Sequence, residues 1–185
     1  MFAASNMQPM IQLHDKKFIP FLPEDKIQEQ IARLGQALSR DLQGDLPLFL
    51  PILNGSFMFA ADLMKQISIP AEISFVKIVS YVGTASSGHV KTLIGLDVPI
   101  RDRTVVILED IIDTGRTLTE FLPVLQGYKP KKILLCSLLF KPEALQAPVQ
   151  PDYTGFEIPN HFIVGYGLDY NGLGRNLRDI YRLAD

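Results

Sequence analysis

The sequence predicts an α/β fold with a mainly parallel sheet, because short apolar segments alternate with helical segments along the chain. Residues 105–108 form an unbroken run of β-branched and aliphatic side chains, which is typical of a strand buried on both faces. A helix-like segment follows at 118–126, and a second apolar run occupies 132–140. This order of strand, helix and strand predicts βαβ units, which form parallel sheets covered by helices.

The first part of the chain supplies two helices and a strand. Between residues 24 and 42, apolar side chains recur at steps of three and four, which marks the buried face of a helix. Residues 46–53 form a short apolar strand, although its two prolines argue against a central position because each removes a hydrogen-bond donor. A turn at 54–56 leads into a second helix at 57–66, which indicates an anion site or, equally, a plain βα turn.

The remaining segments predict a hairpin, a third helix and a terminal strand. Residues 71–81 and 92–98 are rich in strand-forming side chains. The small, polar segment 83–91 between them is expected to be flexible, and it could act as a lid that excludes water from a reacting centre. Pro123 inside the third helix predicts a kink or a short first helix. Residues 180–183 are expected to pair as a short terminal strand.

Composition is that of an ordinary globular protein and excludes several functional classes. The chain has 185 residues, 47% of them hydrophobic, which suits a single domain spanning residues 1–185. The net charge of −2 offers no basic surface for general nucleic-acid binding. The single cysteine, Cys136, excludes an internal disulfide, and no apolar stretch reaches the roughly 18 residues of a membrane helix. We therefore expect a cytoplasmic protein with no membrane or nucleic-acid partner.

An acidic string follows the central strand. Glu109, Asp110 and Asp113 come at the carboxyl end of that strand, where open α/β sheets bind ligands. The turn at 114–117, Thr-Gly-Arg-Thr, places N–H groups and hydroxyls at a helix N-terminus, which favours an anion. Adjacent carboxylates suit vicinal hydroxyls, or Mg²⁺ held through water. A ribose 5-phosphate satisfies both halves, whereas an ordinary acidic turn explains any two of these acids but not the ordered string.

The string resembles the phosphoribosyl-pyrophosphate signature of the type I phosphoribosyltransferases, and within them the chain is similar to the hypoxanthine/guanine enzymes. Ser80 and Tyr81, ahead of a serine- and glycine-rich loop, resemble the family's mobile catalytic loop. Residues 164–170 resemble its Val-Gly-Tyr-x-Leu-Asp-Tyr segment, and Lys141 follows the next strand in the family's order. The fold implied is a twisted, mainly parallel sheet flanked by helices, with a small hood formed by N-terminal and C-terminal segments.

The activity implied by this resemblance is purine salvage. Such an enzyme transfers ribosyl 5-phosphate from phosphoribosyl pyrophosphate to N9 of a 6-oxopurine, hypoxanthine or guanine. The products are a nucleoside monophosphate (IMP or GMP) and pyrophosphate, and Mg²⁺ is the implied cofactor. A homodimer or homotetramer is the family's usual form.

The resemblance implies a role for each acidic residue. Asp113 would act at purine N7 as general base. Glu109 and Asp110 would hold the ribose hydroxyls and a metal-bound water, and lend negative charge near the cationic sugar of the transition state. Asp169 would hold a second Mg²⁺ through water. The implied metal residues are therefore Glu109, Asp110 and Asp169.

The resemblance also implies two sets of binding residues. The set for phosphoribosyl pyrophosphate is Asp110, Thr114, Gly115, Arg116, Thr117, Asn54, Gly55 and Arg175. The set for the purine is Lys141, Phe162, Ile163, Asp169 and Ile111. Phe162 would stack on the base, and the backbone of Ile163 would meet its Watson–Crick edge. Lys141 would donate to the 6-oxygen, which disfavours adenine because its amino group presents a second donor there.

One position departs from the family's pattern. The family often has lysine where this chain has Asn54, in a turn that meets pyrophosphate. That turn begins with a non-proline cis peptide, which here would join Leu53 to Asn54. The departure removes a cation but leaves the backbone N–H donors in place.

Two alternative functions stay open at this point. A xanthine-preferring enzyme of the same family would carry the same motifs, since discrimination at the purine 2-position rests on backbone carbonyls near Ile163 and Asp169. A non-catalytic regulator that senses phosphoribosyl pyrophosphate would share the fold. Such regulators commonly carry a DNA-binding domain or a basic RNA-binding face, and the sequence shows neither.

Overall fold

The computed structural model describes residues 9–79 and 91–184. Its helices are α1 (Glu24–Asp41), α2 (Phe57–Gln66) and α3 (Arg116–Gly127), with a 3₁₀ turn at Pro142–Ala144. Its strands are β1 (Ile11–Leu13), β2 (Lys16–Leu22), β3 (Leu48–Leu53), β4 (Glu72–Ile73), β5 (Val76–Val79), β6 (Lys91–Ile94), β7 (Thr104–Ile112), β8 (Lys132–Phe140), β9 (Tyr153–Glu157), β10 (Ile163–Val164) and β11 (Ile180–Leu183). The first two predicted helices, the strand at 132–140 and the terminal strand at 180–183 are confirmed.

The larger sheet is mainly parallel, as the alternation of strands and helices predicts. In the described part of the chain its order is β6-β5-β3-β7-β8-β9, with β4 also paired to β3. Within residues 9–79 and 91–184, β5 and β6 are the one antiparallel pair of this sheet, and they are the two strands of the predicted hairpin. Val106 and Leu108 of β7 pack in one hydrophobic cluster with α1 and α2. Val105 and Ile107 pack in a second cluster with α3, so helices cover both faces.

The central strand β7 is longer than the sequence predicts. Its pairing with β8 continues as far as Ile112, which lies opposite Phe140. Glu109 and Asp110 therefore lie within the strand and not in the turn after it. The apolar pattern ends at the first charge, but the backbone ladder continues because β8 still supplies partners there. Since successive side chains of a strand alternate, Glu109 and Asp110 point to opposite faces of the sheet.

Strand β3 holds an interior position in spite of its prolines, contrary to expectation. Pro51 pairs with Leu108 of β7 on one side. On the other side of β3, β4 pairs with positions 48 and 49 and β5 pairs with positions 52 and 53. Pro51 therefore has no registered partner on that side. The proline coincides with a break between two short neighbouring strands, where a missing N–H costs least.

The chain termini build the second sheet, as the predicted hood requires. Among the described residues its order is β1-β2-β11-β10, and every pair is antiparallel. Phe18, Val164 and Tyr181 form its buried centre. The predicted hood of N-terminal and C-terminal segments is therefore confirmed. None of the helices in residues 9–79 and 91–184 combines the length and the apolar character that crossing a membrane requires.

Helix α3 differs from its prediction in two ways. It begins at Arg116, two residues before the expected start, and it contains Pro123 without ending there. The alternative of a short first helix is therefore wrong. The predicted loop at 83–91 lies outside the described residues except for its last position.

Helices α1 and α2 approach each other closely at Gly35. A Cβ added to Gly35 would overlap the Cβ of Gln66 and would lie 3.0 Å from the Gln66 backbone oxygen. The second contact is with backbone, so rotation of a side chain cannot relieve it. Glycine is therefore needed for this helix contact, although it is a weak helix former.

We expect Gly35→Ala to lower the free energy of unfolding by about 1–3 kcal/mol, because overpacking outweighs the better helix propensity of alanine. Gly127→Ala is the matched control, since nothing lies within 4 Å of a Cβ added at the end of α3. The control should be neutral or slightly stabilising. Urea denaturation measures both, and an unchanged midpoint for Gly35→Ala would mean that the helices can separate at little cost.

Candidate active site

A cleft of about 340 Å³ lies at the carboxyl edge of the larger sheet, against the hood. Its lining residues come from β7, β10 and the segments next to the ends of β3, β7, β8 and β10: Gly55, Asp110, Ile111, Asp113, Lys141, Phe162, Ile163, Leu168, Asp169 and Arg175. The predicted purine-binding residues all lie in this cleft. Leu168 also lines it and was not predicted, although it stood inside the recognised segment 164–170, which was the available signal.

A smaller pocket of about 100 Å³ lies beside the cleft, at the start of α3. Its lining includes the predicted phosphate-binding turn and the acid before it: Glu109, Ile111, Ile112, Asp113, Thr114, Gly115, Arg116, Thr117 and Leu118. Gly115 caps the helix with a φ of +76°, in the left-handed region that favours glycine. Ile111 and Asp113 line both spaces, so the pocket and the cleft adjoin at the end of β7.

The turn at 114–117, which is predicted to bind phosphate, is held in place by the segment that follows the 3₁₀ turn at Pro142–Ala144. The backbone N–H of Gln146 donates to the Thr114 carbonyl at 3.1 Å, and the Arg116 guanidinium donates to the Gln146 side chain at 2.8 Å. A Cβ at Gly115 would press against Ala147 at 3.1 Å. The side chain of Arg116 is thus directed to Gln146, while Gly115 and Thr117 contribute to the pocket wall.

Glu109 and Asp110 divide between the two spaces. The buried Glu109 lines the smaller pocket at the start of α3, and Asp110 lines the cleft. Burial, with the neighbouring Asp110 charge, raises the pKa of Glu109 well above its ordinary value. Burial also raises the pKa of Asp110 to about 6, although the backbone N–H of Ile111 donates to its carboxylate at 3.0 Å. A bound cation or sugar hydroxyl would stabilise the ionised form of both carboxylates, so the site is suited to such ligands.

Lys141 and Asp113 form an ion pair at the cleft wall. Their Nζ and Oδ2 atoms are 2.9 Å apart, and the lysine side chain is only 6% exposed whereas that of Asp113 is 46% exposed. The Lys141 backbone N–H also donates to the carbonyl of Ile112, which fixes the start of the segment after β8. Asn160 accepts a longer contact of 3.5 Å from the lysine. Lys141 is therefore a buried, directed donor and not a solvated side chain.

Asp169 and Arg175 form a second ion pair in the same cleft. The Arg175 guanidinium lies 2.6 Å from one Asp169 oxygen, and its other nitrogen donates to the Gly167 carbonyl at 2.7 Å. The second Asp169 oxygen accepts the Gly172 N–H at 2.7 Å. Asp169 is thus held from two sides.

Two glycines bring the loops of the site into contact. A Cβ at Gly55 would overlap the Asp110 carboxylate, and a Cβ at Gly167 would overlap the Gly55 carbonyl. The peptide bond between Leu53 and Asn54 is cis, as the family resemblance implies. The Asn54 side chain is exposed and lines neither the cleft nor the pocket.

Phe162 presents an aromatic face at the rim of the cleft. It is 46% exposed and contacts Tyr170 edge-to-face at 5.8 Å and Phe18 at 6.1 Å between ring centroids. The backbone of Ile163 is fixed by pairing with Arg182 in the hood. The hood therefore supplies an exposed ring beside a rigid backbone edge.

Two predicted residues have no described position, and several contributors were not predicted. Ser80 and Tyr81 lie outside the described residues. Asn160, Gln146 and Tyr166 support site residues but were missed. The polar type of Asn160 and Gln146 is common in loops, so only contacts distant in sequence distinguish them. Tyr166 stood inside the recognised segment 164–170, which was the available signal.

Comparison with known proteins identifies the family. The phosphoribosyl transferase domain family matches residues 22–171. The chain belongs to the phosphoribosyltransferase family. The hypoxanthine-guanine phosphoribosyltransferase of Lactococcus lactis is 44% identical over 155 residues, which are 83% of this chain and 84% of that protein. The predicted family resemblance is therefore confirmed.

A solved phosphoribosyltransferase structure confirms the fold. The crystal structure of a hypoxanthine phosphoribosyltransferase from Staphylococcus aureus matches with a TM-score of 0.85 and 40% identity, covering 89% of this chain and 90% of that one. The bifunctional protein TilS/HprT of Listeria innocua is 42% identical over 157 residues. This chain spans only 24% of that longer relative.

The raised pKa of Asp110 predicts a pH-dependent cost to stability. The folded protein holds this proton up to about pH 6, whereas an unfolded aspartate releases it near pH 3.9. The folded state therefore binds more protons between these values, so the contribution of Asp110 to the unfolding free energy falls as pH rises through that window. The full cost is present above pH 6.

Asp110→Asn should therefore raise the free energy of unfolding at pH 7.5, by at most about 3 kcal/mol, and have little effect near pH 4. Glu120→Gln, on the exposed face of α3, is the matched control and should show no such pH dependence. Urea denaturation at several pH values, without added Mg²⁺, measures the difference. Equal stability of Asp110→Asn and the parent at every pH would contradict the prediction.

Proposed function

We propose that this protein transfers ribosyl 5-phosphate from phosphoribosyl pyrophosphate to N9 of hypoxanthine or guanine, releasing pyrophosphate. The observation that carries the proposal is the Lys141–Asp113 pair, with 2.9 Å between Nζ and Oδ2, on the wall of a cleft that adjoins the smaller pocket at the start of α3. The names of the Lactococcus and Staphylococcus relatives support the same reaction.

The base fits the pair through two adjacent atoms of its edge. A 6-oxopurine presents an acceptor at O6 and, beside it, a proton at N7. Lys141 donates to O6, and Asp113 accepts the N7 proton as N9 forms its bond to the ribose. A buried lysine facing the amino group of adenine would leave a donor without an acceptor, which disfavours that base. Phe162 stacks on the base from the hood side.

The sugar phosphate occupies the pocket beside α3. Its phosphate accepts hydrogen bonds from the backbone N–H groups and hydroxyls of residues 114–117, at a helix N-terminus. Asp110 and Glu109 meet the ribose hydroxyls. As pyrophosphate leaves, positive charge grows on the ribose ring, and these carboxylates stabilise that charge in a poorly solvated site. The buried side chain of Glu109 in the lining of the smaller pocket supports this role.

The donor set fits Mg²⁺ that is shared with the substrate. Among the described residues, no cluster of three or more His, Cys, Asp and Glu side chains is close enough to hold a metal ion. Mg²⁺ characteristically keeps several waters and binds through one or two carboxylates together with substrate phosphates. Asp110, Glu109 and Asp169 supply such carboxylates through water. When bound, Mg²⁺ neutralises the pyrophosphate leaving group.

The pyrophosphate lies between two loops of the cleft. The backbone N–H groups after Leu53 face it from one side, including that of Gly55. Arg175 supplies positive charge from the other side, although both ends of its guanidinium are engaged by Asp169 and Gly167. The single-domain extent over residues 1–185 and the assembly into a dimer or tetramer stay predictions.

The first experiment is a comparison of initial rates with four bases. The protein is given Mg²⁺, phosphoribosyl pyrophosphate and, separately, hypoxanthine, guanine, xanthine or adenine, and nucleotide formation is followed. We expect turnover of hypoxanthine or guanine and none of adenine. Turnover of xanthine alone would replace the proposed substrate. Tight binding of phosphoribosyl pyrophosphate without turnover of any base would indicate a regulator.

Lys141→Met tests the assignment of the base site. The change keeps the length of the buried stem and removes the ammonium group, so kcat/KM for hypoxanthine should fall by about ten- to a hundredfold, as expected for a hydrogen bond from a charged donor. The KM for phosphoribosyl pyrophosphate should be unchanged, because the lysine is assigned to the base. Lys132→Met is the matched control, because Lys132 lies exposed at the opposite end of β8. Unchanged kcat/KM for hypoxanthine, or an equal loss for phosphoribosyl pyrophosphate and the base, would contradict the assigned role.

A further inference from the structure

The turn that carries Asp169 has an unusual backbone. Gly165, Tyr166 and Gly167 have φ values of +100°, +49° and +99°, so three successive residues lie in the left-handed region. Glycine adopts this region freely, but a tyrosine does so only when its surroundings hold it there. The side chain of Tyr166 must therefore form contacts that stabilise the turn.

Those contacts come from the two helices beneath the hood. Tyr166 is only 1% exposed, and its hydroxyl donates to Asp62 of α2 at 2.6 Å. Gln28 of α1 donates to the same Asp62 oxygen at 2.7 Å and lies 3.2 Å from the tyrosine hydroxyl. Burial raises the pKa of Asp62, but hydrogen bonds from Lys65, Tyr166 and Gln28 outweigh it and leave the pKa below its ordinary value. Asp62 is thus an ionised acceptor with its donors in place.

The turn reaches the active site through its next residue. Gly167 lies against the carbonyl of Gly55, and Gly55 lies against the carboxylate of Asp110. The Gly167 carbonyl also accepts from Arg175, which in turn pairs with Asp169. A shift of Tyr166 would therefore move Gly167, Gly55 and Arg175, which lie where pyrophosphate is proposed to bind. The Lys141–Asp113 pair lies on other elements and would be unaffected.

We infer that Tyr166 and Asp62 are positioning residues for the reaction, because their hydrogen bond seats Gly167 against Gly55 and so sets the pyrophosphate side of the site. The inference rests on the proposed function and deepens it. Neither residue touches the cleft. Their effect falls on the binding and reaction of phosphoribosyl pyrophosphate more than on the base, because Lys141 and Asp113, which are assigned to O6 and N7, lie on other elements.

A second tyrosine provides the comparison that separates positioning from general stabilisation. Tyr153 of β9 donates to Asp41 of α1 at 3.1 Å, so it also ties a strand or turn to a helix through a tyrosine–aspartate hydrogen bond. It contacts no lining residue of the cleft through that bond. Tyr153→Phe and Tyr166→Phe each remove one hydroxyl and keep the ring, and they differ in that the Tyr166 ring is buried whereas the Tyr153–Asp41 contact is exposed.

The test compares Tyr166→Phe with Tyr153→Phe and the parent protein. We expect Tyr166→Phe to lower kcat/KM for phosphoribosyl pyrophosphate by about ten- to a hundredfold, as small misplacements in active sites do. Its KM for hypoxanthine should be unchanged. Isothermal titration of phosphoribosyl pyrophosphate with Mg²⁺ should show weaker binding to the same variant. Tyr153→Phe should match the parent in all of these, and thermal denaturation sets a temperature well below the Tm of both variants at which the constants are measured.

A second variant guards against misfolding of Tyr166→Phe. Asp62→Asn keeps the shape of the acceptor and removes its charge, so it should change the same constants in the same direction. The double variant should be no worse than the more impaired single one, because both changes break one interaction. Additive losses would overturn the inference, as would equal kinetics for Tyr166→Phe and Tyr153→Phe.

The outcomes for the parent protein distinguish this inference from the function on which it rests. If the parent turns over no base, the proposed function fails. If the parent is active and Tyr166→Phe retains its kcat/KM and its affinity for phosphoribosyl pyrophosphate, only the positioning role fails.

Discussion

The site depends on two close contacts at glycines, Gly55 and Gly167, where an added side chain would not fit. The Asp110 carboxylate lies against Gly55, and the Gly55 carbonyl lies against Gly167. These contacts join the end of β7, the loop after β3 and the turn after β10, which belong to two different sheets. The Gly167 contact is with backbone and its φ is +99°, so the turn can meet the loop after β3 only with glycine there. A side chain at Gly55 would displace the Asp110 carboxylate from its position in the site.

The electrostatics of the site combine two desolvated carboxylates with two ion pairs. Burial raises the pKa of both Glu109 and Asp110. The ion pairs in the cleft are Lys141–Asp113 and Arg175–Asp169. The first pair suits a neutral base with adjacent donor and acceptor atoms, and the second suits a metal-bound polyphosphate. The helix N-terminus at Gly115 suits a phosphate.

Local patterns predicted most of the elements and failed where pairing decided the outcome. Helix α1 and strand β8 were found because their apolar periodicity is complete within one segment. The end of β7 was misplaced because backbone pairing with β8 continues through Glu109 and Asp110, where the apolar signal has already stopped. Pro51 argued against an interior strand, yet the break between β4 and β5 lies beside it. Both errors concern partners that are distant in sequence.

The sequence by itself determined the family, the order of the elements and the chemical types at the site, because these are carried by short ordered motifs. The tertiary structure alone decided which groups meet. Lys141 pairs with Asp113 across 28 positions, and Tyr166 reaches Asp62 across 104. It also decided that Glu109 and Asp110 face different spaces. The physical reason is that residue type is local, whereas burial, partner and direction are set by packing between segments that the chain keeps far apart.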